Sequence, residues 1–205
     1  MTTRTAVHWQ RGTQTAHTRA GTDHVPGDWA MWAFVLAELA VFAALLVSLG
    51  VARRLEPAVF AAGLEQMHPR AGLANTLALL CGSYLVARGI AAATDRGPRA
   101  CTGWFMAGTT AGGVYLAIKL GEYADLVGAG YNLRTDTFFF FYFFVTFFHF
   151  MHVVLGMIVL AAVAVRARRG GYDDDGLRAP ESAASYWHMV DLVWLVLFPL
   201  LYVLP

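Results

Sequence analysis

Two histidines, His149 and His152, lie near the middle of a long apolar stretch, where ionisable side chains are rare and usually functional. Because they are three residues apart, they share one face of a helix. Haem or metal ligation would need a further ligand at a similar depth, but we expect the depth of His188 to differ by on the order of 15 Å or more. We therefore expect His149 and His152 to make hydrogen bonds between helices, with haem or metal ligation as the alternative.

Glu38 is the only charged residue in the first apolar stretch, about ten residues from its start. A charge at the bilayer centre costs roughly 2.5–3.5 kcal/mol on insertion scales, so a carboxyl group at this depth needs a partner. The depth of Glu38 matches that of the two histidines, and we expect it to contact His149 or His152. Its role is either a structural hydrogen bond or a carboxyl group involved in proton transfer or complex assembly.

Two further pairs of polar residues have the three-residue spacing that makes side chains neighbours on a helix. His188 and Asp191 lie within the last apolar stretch, and Lys119 and Glu122 lie near the end of the third. We predict a hydrogen bond for the first pair and a local ion pair for the second. All of these residues are predicted to make intramembrane polar contacts, and none forms a recognisable catalytic set or a complete metal site.

Phenylalanines are concentrated between residues 138 and 150 and fall on every face of a helix. Such a segment contacts lipid and neighbouring helices at once. The third apolar stretch is rich in small residues, which allow helices to approach closely in a membrane. The candidates for lipid binding or helix packing are Phe138, Phe141, Phe144, Phe148 and Gly112.

The composition indicates the kind of element that carries these residues. Of the 205 residues 58% are apolar and only 14% charged, against about 45–50% and about 25% in soluble domains. This excludes an ordinary soluble enzyme. A net charge of +1 disfavours nucleic acid as a partner. The two cysteines, Cys81 and Cys101, give neither a disulfide framework nor a CxxC metal pair.

Long runs without charges predict an all-α integral membrane bundle of five transmembrane helices. A polar cytoplasmic tail over residues 1–28 precedes them, with Asp28 as a helix cap. The segment from Leu55 to Ala71, which contains Pro57 and Pro69, is predicted to be a polar connection. The predicted spans are 29–52, 72–93, 101–123, 137–165 and 186–204.

The distribution of basic residues predicts the orientation. With five spans, nine arginines lie on the side of the N-terminus and five lysines or arginines on the other side. Because basic residues are enriched in cytoplasmic loops, the N-terminus is predicted to be cytoplasmic and the C-terminus outside. Four tryptophans near the cytoplasmic ends are predicted to form an interfacial belt: Trp29, Trp32, Trp104 and Trp187.

The order and spacing of several motifs resemble subunit III of haem–copper oxidases, in the five-helix form of that family. The first shared helix carries a glutamate that matches Glu38, an Asn-Thr pair opens the next helix, and a Glu-Tyr pair ends the third. The most specific part is the pair of His-containing stretches in the last two helices. The segments that carry the resemblance are 32–42, 74–83, 121–123, 148–156 and 186–194.

The resemblance implies a non-catalytic subunit of a respiratory complex in the bacterial plasma membrane. Haem and copper would belong to partner subunits, and this chain would bind phospholipid and support assembly and proton uptake. The implied electron donor is cytochrome c or a quinol, and the implied acceptor is oxygen. An abundance of arginine over lysine, fourteen against one, is typical of a GC-rich bacterial genome.

Three other functions remain open. Segments 26–32, 54–63 and 197–202 are similar to a branch of subunit III-like proteins associated with nitric oxide reductase, which makes an accessory subunit of that enzyme the main alternative. A free-standing haem b protein would use His149, His152 and His188 as ligands. A small transporter would need a polar path, which Glu38 alone does not supply.

Overall fold

The computed structural model describes residues 29–170 and 177–204, and this part of the chain is helical with no β-strand. The predicted tail over residues 1–28, with Asp28 as its cap, and the acidic run 173–175 lie outside the described residues. The helices are α1 (Trp29–Leu55), α2 (Pro57–Glu65), α3 (Pro69–Arg96), α4 (Cys101–Gly128), α5 (Thr137–Arg168) and α6 (Arg178–Tyr202), and a short 3₁₀ helix (Pro98–Ala100) precedes α4.

The predicted connection from Leu55 to Ala71 is wrong in its detail, because it contains α2 and the first residues of α3. Pro57 and Pro69 are the first residues of these helices. Proline is favoured at the first helical position, where its missing N–H would have had no partner within the helix. The five long helices extend beyond the predicted spans at one or both ends. The helix of the fifth span, α6, begins at Arg178 rather than at residue 186.

The helices α3 to α6 form a bundle, in which α3 packs most extensively against α4. Glycines permit this close approach: a Cβ atom on Gly82 would lie 3.3 Å from the Cβ of Ala111, and one on Gly89 would lie 2.8 Å from the ring of Phe105. These two contacts show that α3 and α4 are antiparallel. Helix α1 lies at the edge of the bundle against α5 and α6, and α2 packs on α5.

The loop from α4 to α5 fixes where the Phe-rich helix begins. Gly130 has a φ of +93°, which residues with a Cβ rarely adopt, and the chain turns there. Asp136 then caps α5, because its side chain accepts a hydrogen bond of 2.9 Å from the backbone N–H of Phe139. This bond satisfies one of the N–H groups that have no partner in the first turn of a helix.

Four of the described helices, α1, α3, α5 and α6, are long and apolar enough to cross a membrane. The chain is therefore a multi-pass membrane protein with a helical bundle. The predicted count of five spans is not established by composition, since α4 is not among these four. Helix α4 has 28 residues, about 42 Å at 1.5 Å per residue, but it carries charged residues and many small ones.

Candidate functional site

Glu38 of α1 contacts His152 of α5, one of its two expected partners. The Oε2 atom of Glu38 lies 2.9 Å from Nε2 of His152. The other ring nitrogen, Nδ1, lies 2.8 Å from the carbonyl oxygen of Phe148, which can only accept, so Nδ1 carries a hydrogen. The Glu38–His152 contact consequently shares a single proton, held either by the imidazole ring or by the carboxyl group.

His149 has a different environment, although it lies one turn away on the same helix. Its ring is fully buried. Nε2 donates to the carbonyl oxygen of Val190 at 3.0 Å, so Nδ1 accepts from the hydroxyl of Tyr115 at 3.0 Å. His149 therefore links α5 to α6 and α4. Its bond to Val190, two residues from His188 on α6, shows that the expected difference in depth on the order of 15 Å is wrong.

The two histidines have protein partners on both ring nitrogens, which leaves neither free to ligate a metal in this arrangement. Within residues 29–170 and 177–204, no group of three or more His, Cys, Asp or Glu side chains is placed to hold a metal ion.

Lys119 and Glu122 form the predicted ion pair, with Nζ 3.0 Å from Oε2. Nζ also donates to the hydroxyls of Tyr142 at 3.0 Å and Tyr202 at 2.6 Å, so its three N–H groups all have acceptors. The hydroxyl of Tyr202 in turn donates to Glu122 Oε2 at 2.8 Å. We call these four residues the Lys119 cluster. It joins α4, α5 and α6 and has no exposure at the lysine.

Aromatic rings surround the ammonium group of Lys119. Four ring centroids lie between 4.6 and 5.4 Å from Nζ, those of Tyr123, Tyr142, Trp194 and Tyr202. Cation–π contacts of this kind are worth about 2 kcal/mol or more where the cation is desolvated. The rings therefore partly compensate for the removal of this charge from water.

His188 and Asp191 meet at a third residue, Ser83 of α3. Nδ1 of His188 lies 3.1 Å from the Ser83 hydroxyl, and the Asp191 carboxyl group interacts with the same hydroxyl. The predicted pair on α6 is thus connected to α3 through a hydroxyl group, in addition to its proximity along the helix.

Trp187 is not part of an interfacial belt, which corrects the prediction for this residue. It is 1% exposed and lies in the middle of the bundle. Its indole ring is accommodated by three glycines, Gly82 of α3, Gly112 of α4 and Gly156 of α5. A Cβ atom on Gly112 would lie 2.8 Å from both Cη2 of Trp187 and Cγ of Met157. Gly112 is therefore a close-packing position.

The phenylalanines of α5 divide into buried and exposed groups. Phe138 is buried against Phe60 of α2, with ring centroids 5.6 Å apart, and Phe148 packs on Phe42 of α1 at 5.0 Å. Phe141 is partly buried, and Phe144 is 45% exposed. Phe144 borders an apolar groove of about 280 Å³ between α4 and α5, which is lined by Tyr123, Val127, Leu133, Phe143, Phe144 and Phe147.

The tyrosines and the serine that complete these contacts were not predicted from the sequence. Tyr115 partners His149, Tyr142 and Tyr202 partner Lys119, and Ser83 partners His188. One signal was available: Tyr142 is the only tyrosine within a run of phenylalanines, and a hydroxyl group at such a position needs a buried partner.

The chain matches a known protein family over nearly its whole length. The family model described as "Cytochrome c oxidase subunit III" matches residues 4–204. Cytochrome c oxidase subunit 3 of Thermostichus vulcanus is 34% identical over 131 residues, which cover 63% of this chain and 64% of that protein.

Other relatives align over longer segments. Cytochrome c oxidase subunit 3 of a Synechocystis strain is 31% identical over 83% of this chain and 72% of the relative. The probable quinol oxidase subunit 3 of Staphylococcus saprophyticus is 24% identical over 84% of this chain and 86% of the relative. The chain thus spans between 64% and 86% of the length of these three relatives, and less than two thirds of the Thermostichus protein.

Proposed function

The chain belongs to the cytochrome c oxidase subunit III family, and from that premise we propose that it is a non-catalytic subunit of an oxygen-reducing respiratory complex. The match over residues 4–204 carries the proposal. Subunit III of a haem–copper oxidase works in a complex with catalytic subunits, and we assign the haem and copper centres to those partners. Cytochrome c is the proposed electron donor, because the relatives from Thermostichus and Synechocystis are named as cytochrome c oxidase subunits.

The contacts of the polar side chains support a role without redox chemistry. The ring nitrogens of His149 and His152 are bonded to protein groups, and Lys119 has acceptors for all of its hydrogens. These side chains hold helices together. We therefore propose that this chain binds no haem or metal of its own.

The ends of α1 and α6 support a five-crossing topology. Arg53, near the end of α1, donates to the carbonyl oxygen of Leu200 at 3.3 Å and also bonds to that of Leu204, at the end of α6. The two helices consequently run in the same direction, as the first and fifth of five alternating crossings do. We propose that α4 is the remaining crossing and that its charged residues are tolerated there because Lys119 and Glu122 are paired inside the bundle.

We further propose that the chain lies in a bacterial plasma membrane with its N-terminus in the cytoplasm and its C-terminus outside. The excess of arginine on the N-terminal side of the five crossings supports this orientation. The Lys119 cluster then lies in the outer half of the membrane, whereas Ser83, His188 and Asp191 lie near the middle of α3 and α6.

Two surface features support lipid binding and a contribution to proton uptake. The apolar groove beside Phe144 has the chemistry of a site for an acyl chain of a phospholipid. His152 of the Glu38–His152 pair lines a second groove on α5, of about 330 Å³. The pair shares one proton between two side chains that are not fully buried. We propose that this pair influences proton uptake by the catalytic subunit.

Purification of a tagged chain from its host in mild detergent tests the proposal. We expect a haem–copper oxidase catalytic subunit to co-purify and the complex to consume oxygen with reduced cytochrome c. Oxygen consumption with a quinol alone would correct the donor. Recovery with nitric oxide reductase subunits and consumption of nitric oxide would favour the alternative suggested by segments 26–32, 54–63 and 197–202. A haem Soret band retained by the isolated chain would contradict the non-catalytic role.

A further inference from the structure

Two buried polar atoms of α6 lack a hydrogen-bond partner among the described residues, and they are chemically complementary. They are Nε1 of Trp187, which can only donate, and Oδ1 of Asp191, which accepts when the carboxyl group is ionised. Trp187 is 1% exposed and Asp191 is 6% exposed. Buried polar groups in proteins are nearly always satisfied, so this donor and this acceptor require an explanation.

The Trp187 indole and the Asp191 carboxyl group both adjoin the same part of α3. A Cβ atom on Gly82 would lie 3.0 Å from Cζ2 and 3.5 Å from Cε2 of Trp187, and Cε2 is the atom bonded to Nε1. The opposite edge of the indole, Cε3 and Cζ3, faces Gly156 of α5. The N–H edge of Trp187 is therefore turned towards α3 at Gly82. The next residue, Ser83, bonds to His188 and interacts with the Asp191 carboxyl group.

The spacing along α6 places the two groups on one side of the helix. Trp187 and Asp191 are four residues apart, so they lie on one helix face with a rise of about 6 Å between their Cα atoms. A water molecule between a donor and an acceptor makes two hydrogen bonds of about 2.8–3.0 Å each. A direct bond between these two atoms is not present in the structure.

We propose that Trp187 and Asp191 bind one buried water molecule at the interface of α3 and α6. Water can accept the indole N–H and donate to the carboxylate oxygen at the same time. A metal cation cannot accept a hydrogen bond from the indole N–H group, and an anion would be repelled by Asp191. Ser83 and His188 flank the site and supply a further hydroxyl and imidazole. This site is separate from the contacts on which the proposed function rests.

Solid-state NMR of the full-length chain in lipid bilayers, with ¹⁵N-labelled tryptophan, tests the proposal. We expect magnetisation transfer from water to the indole N–H of Trp187, whose signal is assigned by its loss in Trp187→Phe. The matched control is Trp194, on the same helix, because its indole N–H donates directly to Thr76 at 3.0 Å. Trp194 should show no transfer from water.

Two variants sharpen the result. Asp191→Leu should abolish the water signal of Trp187, whereas Asp191→Asn, which keeps an acceptor, should retain it. If Asp191→Leu does not fold, the comparison of Trp187 with Trp194 in the unmodified chain still decides. Equal absence of transfer at both tryptophans, or transfer at Trp187 that persists in a folded Asp191→Leu chain, would overturn the proposal.

Discussion

The two carboxylates Glu122 and Glu38 both lie within apolar helices and both pair with a nitrogen base, but their surroundings differ. Glu122 shares the Lys119 cluster with two tyrosine hydroxyls, and its side chain is 2% exposed. Glu38 has His152 as its hydrogen-bond partner and is 22% exposed at the side chain. The first pair lies inside the bundle, and the second lies between the bundle and the edge helix α1.

This difference indicates two roles for intramembrane polar groups. The Lys119 cluster connects three helices, and each hydrogen of its lysine has one defined acceptor, so any change of partner disrupts the packing of α4, α5 and α6. The Glu38–His152 contact connects two helices through a single bond. Its proton can move between the partners without rearrangement of the bundle. We infer that the cluster specifies the fold and that the pair at the edge is available for function.

Removal of the cation from the Lys119 cluster should have the largest effect. Lys119→Met leaves the Glu122 carboxyl group buried without its counter-ion, and breaking a buried ion pair in this way costs about 3–5 kcal/mol. We expect the free energy of unfolding, measured by SDS titration in mixed micelles, to fall by that amount.

The double variant Lys119→Met, Glu122→Leu provides the control. Replacement of both partners by apolar residues is often neutral or stabilising, so the double variant should recover most of the lost stability. If the double variant is as unstable as Lys119→Met, the loss does not come from the unpaired carboxyl group of Glu122. It then comes from the hydroxyls of Tyr142 and Tyr202, which have lost their partners in the ion pair.

The second prediction compares two phenylalanines of α5 that sequence analysis treated alike. Phe138 is 1% exposed, and its ring stacks on Tyr142 of the Lys119 cluster with centroids 6.2 Å apart. Phe138→Ala should lower the free energy of unfolding by about 3 kcal/mol through the cavity that it creates. Phe144→Ala, at an exposed position of the same helix, should change it by less than about 0.5 kcal/mol. If Phe138→Ala and Phe144→Ala lower the free energy of unfolding equally in the SDS titration, the ring of Phe138 does not stabilise the Lys119 cluster.

The third prediction concerns the close approach of α4 to Trp187. A methyl group at Gly112 would lie 2.8 Å from the indole ring, so Gly112→Ala should lower the free energy of unfolding by about 1–3 kcal/mol through overpacking. Gly121 is on the same helix, and a methyl group there would meet no side chain or neighbouring helix within 4 Å, so Gly121→Ala should be neutral or slightly stabilising. A thermal-stability assay of the two purified variants distinguishes them, and a Gly112→Ala chain as stable as Gly121→Ala would contradict tight packing at the indole.

The sequence was sufficient to predict the five long helices, their order and the polar residues inside them, because apolar runs and charges within them are visible in one dimension. It did not predict the short helix α2. It was not sufficient for Trp187, since a tryptophan near a predicted helix end is typical of both an interface and a core. Three glycines on three other helices decide its position. For the same reason Tyr142 and Tyr202 were missed: their link to Lys119 depends on how three helices pack.

The smallest structural effect is expected at the edge of the bundle, for the Glu38–His152 contact. A double-mutant cycle with Glu38→Ala and His152→Ala should give a coupling energy near the membrane average of about 0.6 kcal/mol and no more than about 1.7 kcal/mol. The assembled complex with Glu38→Ala should keep its haem spectrum but lose proton uptake or active lifetime, and Glu38→Gln should separate loss of the proton from loss of the hydrogen bond. Loss of haem from the complex, or a coupling as large as the effect of Lys119→Met, would place this pair in the same structural class as the Lys119 cluster. A small coupling with a large functional loss would show that a side chain which contributes little to packing is retained for the proton that it shares.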